Sequence, residues 1–105
     1  MPFVVNAIWT AEPGKEQVVA EALEKLIEPS RAEPGNLLYQ PYRSPDEPSV
    51  FRIFEVYEDE DAFTAHAGSD HFQRWGFGVA IPALAERTRE FYETFGDVAP
   101  GVRHR

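Results

Sequence analysis

The chain contains no cysteine and a single methionine in 105 residues. The first absence excludes disulfides, thiolate nucleophiles and thiolate metal sites together, and the second leaves little capacity for a soft metal. Basic residues are scarce as well: 10 Lys and Arg stand against 18 Asp and Glu, a formal net charge of −8. Phosphate contacts need a basic surface, so nucleic acid is not an expected partner. No apolar run approaches the roughly 20 residues of a membrane span, so no membrane partner is expected either. The opening Met1-Pro2-Phe3-Val4-Val5 shows no basic leader or cleavage site, and a cytoplasmic location follows as the expectation.

What is present is an ordinary globular composition, 43% hydrophobic and 13% aromatic, which excludes a disordered chain. Length predicts one domain over 1–105, with 96–105 as a C-terminal tail ending in Arg103-His104-Arg105, a short basic end expected to be disordered. Folding at this size hides only about two-thirds of the surface of the chain, so the core is small and a dimer interface would add to it. There is no internal repeat or low-complexity segment.

Phe3 to Thr10 has the β-branched and aromatic content of a strand. Period two places Phe3, Val5, Ala7 and Trp9 on one face and Val4, Asn6, Ile8 and Thr10 on the other. After Pro13-Gly14, apolar residues at Val18, Val19, Ala22, Leu23, Leu26 and Ile27 predict a helix with one buried stripe. Pro29 is expected to kink it or begin a last irregular turn, and Pro34-Gly35 to end it. Asn36 to Arg43 and Val50 to Tyr57 read as two strands joined by a turn containing Pro45 and Pro48. The acidic run Glu58 to Asp61 suits the amino terminus of a helix through Ala62-Phe63 better than it suits a metal patch. Gly68 breaks that helix, and Ser69-Asp70 can cap a short one carrying His71, Phe72 and Trp75. Pro82 to Glu86 reads as a turn and Thr88 to Phe95 as the last strand. The order is β-α-β-β-α-β, an α+β ferredoxin-like plan: a four-stranded antiparallel sheet with helices on one face. The other face then needs a cover, most simply a second copy.

The stretch from Glu55 to Trp75 holds His66 and His71 among aromatic residues, and any chemistry is expected there. Read for packing alone, His66 is a satisfied core histidine and His71 a surface residue beside Asp70. Glu55 reads either as a buried structural carboxylate or as a second base, and Arg31 and Arg52 as solvated or ion-paired. No metal site is expected, since His66 and His71 lack the i, i+4 spacing that puts two imidazoles on one helix face.

The first strand ending near Trp9, Pro13-Gly14, Glu33-Pro34-Gly35 before a strand reaching Tyr39, and the block from Phe54 to Phe72 with Ala62, His66, Ser69 and His71 resemble the antibiotic biosynthesis monooxygenase family over nearly the whole chain. The resemblance implies a homodimeric α/β barrel with a pocket between helices and sheet in each subunit. Members oxidise phenols or quinols with molecular oxygen and neither metal nor flavin; others degrade haem, and relatives of the fold isomerise small metabolites. The haem-degrading branch resembles this chain at Asn6 but has tryptophan where His66 stands and a histidine ligand where Gly76 stands, so haem is not expected.

The resulting expectation is a cofactor-independent monooxygenase acting on a small phenolic, quinol or polycyclic aromatic substrate, with O2 as co-substrate and no cofactor. Such a reaction needs a base for the phenolic proton, because a phenolate gives an electron to oxygen far more readily than a phenol. His66 and His71 are the candidate bases, with Asn6 holding the developing oxyanion or peroxide, and Trp75, Phe72, Tyr57 and Phe63 binding the substrate. The alternative is a non-oxidative isomerase or cyclase of the same fold, or a small-ligand-binding protein without turnover.

Overall fold

The computed structural model describes residues 1–98. The Arg103-His104-Arg105 end and most of the tail expected from position 96 lie outside the described residues. The elements run β1 (Phe3–Ala11), α1 (Glu16–Arg31), β2 (Asn36–Tyr42), β3 (Val50–Tyr57), α2 (Glu60–Ala67), a π helix (Phe72–Ala80), a short 3-10 turn (Ile81–Ala83) and β4 (Leu84–Glu93). The sheet order is β2-β3-β1-β4, and each neighbouring pair is antiparallel. This is the expected β-α-β-β-α-β, ferredoxin-like plan. Among the described residues no helix is long and apolar enough to cross a membrane.

Helix α1 buries Val19, Ala22, Leu23 and Leu26, the i, i+3, i+4, i+7 stripe that aligns on one side of a 3.6-residue helix. That stripe packs with Trp9, Tyr39, Phe51 and Ile53 from the sheet and with Ala80 and Ala83 from the segment after α2. Pro29 lies within the last turn, and the helix runs through it to Arg31, short of Pro34-Gly35. Arg31 is exposed, as expected, and also hydrogen-bonded: its Nε donates to the Tyr39 carbonyl at 3.0 Å and its guanidinium to Gln40 Oε1 at 3.1 Å, tying the end of α1 to β2. Gly14, at φ +85°, supplies the left-handed residue of the turn between β1 and α1.

The acidic run does begin a helix. Asp59 is the N-cap of α2, its carboxylate accepting from the Ala62 N–H at 2.9 Å, with Glu60 and Asp61 in the first turn. Ser69 Oγ likewise accepts from the Phe72 N–H at 3.2 Å. The helix that follows is longer than expected and wound as π over nine residues. Strand β4 also departs from expectation. It begins at Leu84, inside the Pro82 to Glu86 segment read as a turn, because the edge of β1 offers partners that far, with Glu86 opposite Thr10 and Leu84 opposite Ala11. It ends at Glu93, leaving Phe95 beyond the strand and 96% exposed.

Alternation divides the sheet. Val5, Ala7, Trp9, Ile53 and Glu55 point to the helical side, where they line a cavity. Val4, Ile8, Leu38, Phe54 and Val56 share the opposite face with the half-exposed Tyr42 and Tyr92. On that face Val4 and Val56 are buried, while Ile8, Leu38 and Phe54 are only partly so.

Candidate functional site

Two turns fix the carboxylate of Glu33 beneath α2. The Glu33 N–H donates to the Ser30 carbonyl at 3.1 Å, and the Asn36 N–H returns to the Glu33 carbonyl at 3.1 Å. Gly35 brings this loop against α2 so closely that a Cβ there would stand 2.5 Å from Ala62 Cβ. Gly35→Ala is therefore expected to push the loop off α2 and lower stability by about 1–3 kcal/mol, as overpacking does. Urea unfolding checks the stability, and an accompanying shift of the His66 ring resonances would show that the carboxylate moved too.

Above that loop the Glu33 carboxylate joins both histidines. His66 Nδ1 lies 2.8 Å and His71 Nε2 2.5 Å from the same Oε2, while Asn36 Nδ2 donates to Oε1 at 3.4 Å. His66 comes from the last turn of α2 and His71 from the residue that leads into the π helix. The argument from i, i+4 spacing assumed one helix; two elements meeting at a loop bring the rings together instead. Burial works against ionisation of Glu33, but the hydrogen bonds and attraction of His66, with further bonds from His71 and Asn36, outweigh it and hold the carboxyl below its usual range.

His66 is 3% exposed. Its ring packs 5.0 Å from Phe72, 5.4 Å from Tyr39 and 5.6 Å from Tyr57, centroid to centroid. It also lines a cavity of about 130 Å³ together with Trp9, Phe63, Phe72, Phe77 and Glu55, with Arg87 and Arg89 from β4 completing the wall. With Nδ1 committed to Glu33, the other ring nitrogen, Nε2, remains for the cavity. A carboxylate that takes the Nδ1 proton in a hydrogen bond leaves a lone pair on Nε2, the form that accepts a proton.

Glu55 is the second titratable group on this wall. Its Oε1 accepts the Tyr57 hydroxyl at 2.6 Å. Burial pushes its carboxyl up to about 7, with the Tyr57 bond and the attraction of His66 and Arg89 offsetting part of that rise. Tyr57 and Tyr39 are themselves raised above the ordinary phenol range, by burial first and by the Glu55 charge second, so both stay neutral.

The structure brings His66, Phe72 and Phe63 onto one cavity and leaves other expected residues off it. Asn6 is the clearest correction: strand alternation puts it on the opposite face from Val5 and Ala7, opposite Phe54 and Glu90 in the neighbouring strands, so it cannot reach an oxyanion beside His66. His71 touches the site through Glu33 and does not line the cavity. Trp75 packs toward the core, with Lys25 and Arg74 against its ring. Tyr57 acts on Glu55 and packs on His66 and Phe63 instead of forming a wall. The residues missed were Glu33, Trp9 and Phe77. Glu33 had a signal, the Glu-Pro-Gly turn before β2, which served in the sequence to end a helix and to mark the family resemblance but not to place a carboxylate at the site.

The antibiotic biosynthesis monooxygenase family model matches residues 2–76, which include Glu33, His66 and His71. The protein sll1783 of Synechocystis is 31% identical over 74 residues, 70% of this chain and 50% of its own length. "Putative monooxygenase YcnE" of Bacillus subtilis is 31% identical over 71 residues, 68% of this chain and 75% of its own. The chain thus spans half the length of the first of these relatives. The crystal structure of PA3566 from Pseudomonas aeruginosa superposes with a TM-score of 0.83 at 27% identity, covering 90% of this chain and 95% of that one. On the extent of the family match and the shared fold, this chain belongs to the antibiotic biosynthesis monooxygenase family.

Proposed function

We propose that the protein is a cofactor-independent monooxygenase, cytoplasmic and homodimeric, that oxidises a small phenolic or quinol substrate with O2. The observation that carries this reading is a buried histidine on an aromatic cavity wall, with its far nitrogen held by a carboxylate. In the proposed reaction His66 Nε2 takes the phenolic proton, and the phenolate carbon then reduces O2 and bonds to it. The imidazolium of His66 protonates the peroxide to the hydroperoxide; the same imidazole then takes the hydrogen of the oxygenated carbon as the O–O bond breaks and passes it to the departing hydroxide, which leaves as water and gives the quinone. One phenol and one O2 yield one quinone and one water. Glu33 keeps His66 in the accepting tautomer, and the rings of Phe63, Phe72 and Phe77 sandwich the substrate. The dimer rests on the sheet face opposite the helices, where a second copy would bury the partly exposed Ile8, Leu38 and Phe54 and the half-exposed Tyr42 and Tyr92.

Metal-stripped protein is expected to consume O2 with at least one member of a panel of hydroquinones and polycyclic phenols. No uptake across the panel would count against the reading. A specific feature favours isomerisation as the second reading: Glu55, with a carboxyl near 7, places another proton donor or acceptor on the same cavity. Product formed under strict anaerobiosis would select it.

A further inference from the structure

The Glu33, His66 and His71 cluster has a second capacity that proton transfer does not use. We propose that it binds one borderline divalent transition metal ion, of the Zn2+ or Co2+ class, and that the bound ion silences the base. The ligand atoms, one carboxylate oxygen and two imidazole nitrogens, all lie within 4.8 Å of one another. Both nitrogens already aim at the same oxygen, at 2.8 and 2.5 Å. A tetrahedral ion with bonds of about 2.0–2.2 Å spaces its ligands by about 3.4 Å, so each contact needs to open by less than about 1 Å. Two imidazoles and one carboxylate favour Zn2+, Co2+, Ni2+ or Cu2+ over Mg2+ and Ca2+. Entry is available, because the side chains of His71 and Glu33 are 21% and 15% exposed, and the same opening admits a water as fourth ligand.

The outer bonds set the strength. Asn36 supports Glu33 at Oε1, but among the described residues nothing bonds His66 Nε2 or His71 Nδ1. Partners on the far side of a ligating histidine are worth about 10–100-fold in affinity, so this site is a moderate one. An ion on His66 Nδ1 takes the lone pair that the accepting tautomer does not have there, and the ring proton moves to Nε2. The nitrogen facing the cavity becomes a donor, and the base is lost. Binding is independent of the proposed oxygenase reaction; its inhibitory consequence rests on that reading.

The experiment is a Co2+ titration of chelator-treated full-length protein, followed by the visible absorption of the bound ion, with Zn2+ as displacing competitor. One Co2+ per chain is expected, displaced by Zn2+. His71→Asn and Glu33→Gln are each expected to weaken binding at least about tenfold with unchanged far-UV circular dichroism, while His104→Asn leaves it as it was. Binding that survives both substitutions, or no Co2+ signal in the folded protein, overturns the site. For the second half, Zn2+ at saturation is expected to abolish O2 uptake by protein that is active when metal-free. Undiminished uptake with the ion bound overturns the inhibition and leaves the oxygenase reading standing, whereas protein inactive without metal but still binding Co2+ condemns that reading and not the site.

Discussion

His66→Ala is expected to lower turnover of a phenolic substrate by about 10²–10⁴-fold, the usual worth of a positioned general base. The loss should fall on kcat more than on KM, because the substrate keeps the rings of Phe63, Phe72 and Phe77 while the proton acceptor is gone. Glu33→Gln tests the same step from behind. The carboxylate can only accept, and it takes the N–H of both imidazoles. A glutamine amide also donates, and donation to His66 Nδ1 would turn the ring to the tautomer with its proton on Nε2. Turnover should then fall although His66 is intact, and its ring nitrogen shifts, read by NMR, should report the exchanged tautomer. A purely structural Glu33 would change stability and leave those shifts alone. Steady-state kinetics on both variants, beside their melting temperatures, separates the two cases.

The second large effect concerns stability and pH. Glu55 is 5% exposed, and burial raises its carboxyl from 4.5 to about 7. The folded chain therefore holds a proton that the unfolded chain has already released across that window. The contribution of Glu55 to stability is fully present below about pH 4.5, falls as pH rises, and is lost above about pH 7; the total is about 3 kcal/mol. Glu33, with its carboxyl held low, has the opposite sign and loses its contribution as pH falls. The difference between wild type and Glu55→Gln isolates the first of these. Gln keeps the shape and an acceptor for Tyr57, so the variant should match wild type near pH 5 and be the more stable protein near pH 8. Urea unfolding at the two pH values decides it. Parallel curves for the two proteins would mean that Glu55 is ionised in the folded state throughout.

Much of the fold was legible because its signals are local. The stripe from Val19 to Leu26, the acidic cap before Ala62 and the alternation of β1 each follow from neighbours in sequence. The start of β4 was not, because Leu84 to Glu86 become strand only through pairing with β1, and Pro82 is the stronger local signal. The site divides in the same way. His66 could be singled out from its aromatic company, whereas its carboxylate partner stands 33 residues earlier and is brought near only when Gly35 lets the loop meet α2. The assignment of Asn6 failed for a simpler reason. Its own alternation already put it with Ile8 and Thr10, away from Trp9, and a chemical role was given to it against that geometry.

The π helix carries its own consequence. In an α-helix, residues five apart diverge by about 140° around the axis, so Phe72 and Phe77 would look in different directions. The wider winding narrows that divergence, and the two rings meet edge to face at 5.3 Å on the wall of one cavity. Gly76 leaves room for this, since a Cβ there would stand 2.9 Å from the Phe72 ring. The segment thus behaves as a helix of altered gauge, in which the count of residues, and not their identity alone, sets the shape of the chamber. Deleting Gln73 sets the two rings four apart, a spacing that an ordinary α-helix keeps on one face, so the shortened segment has no need of the wider winding.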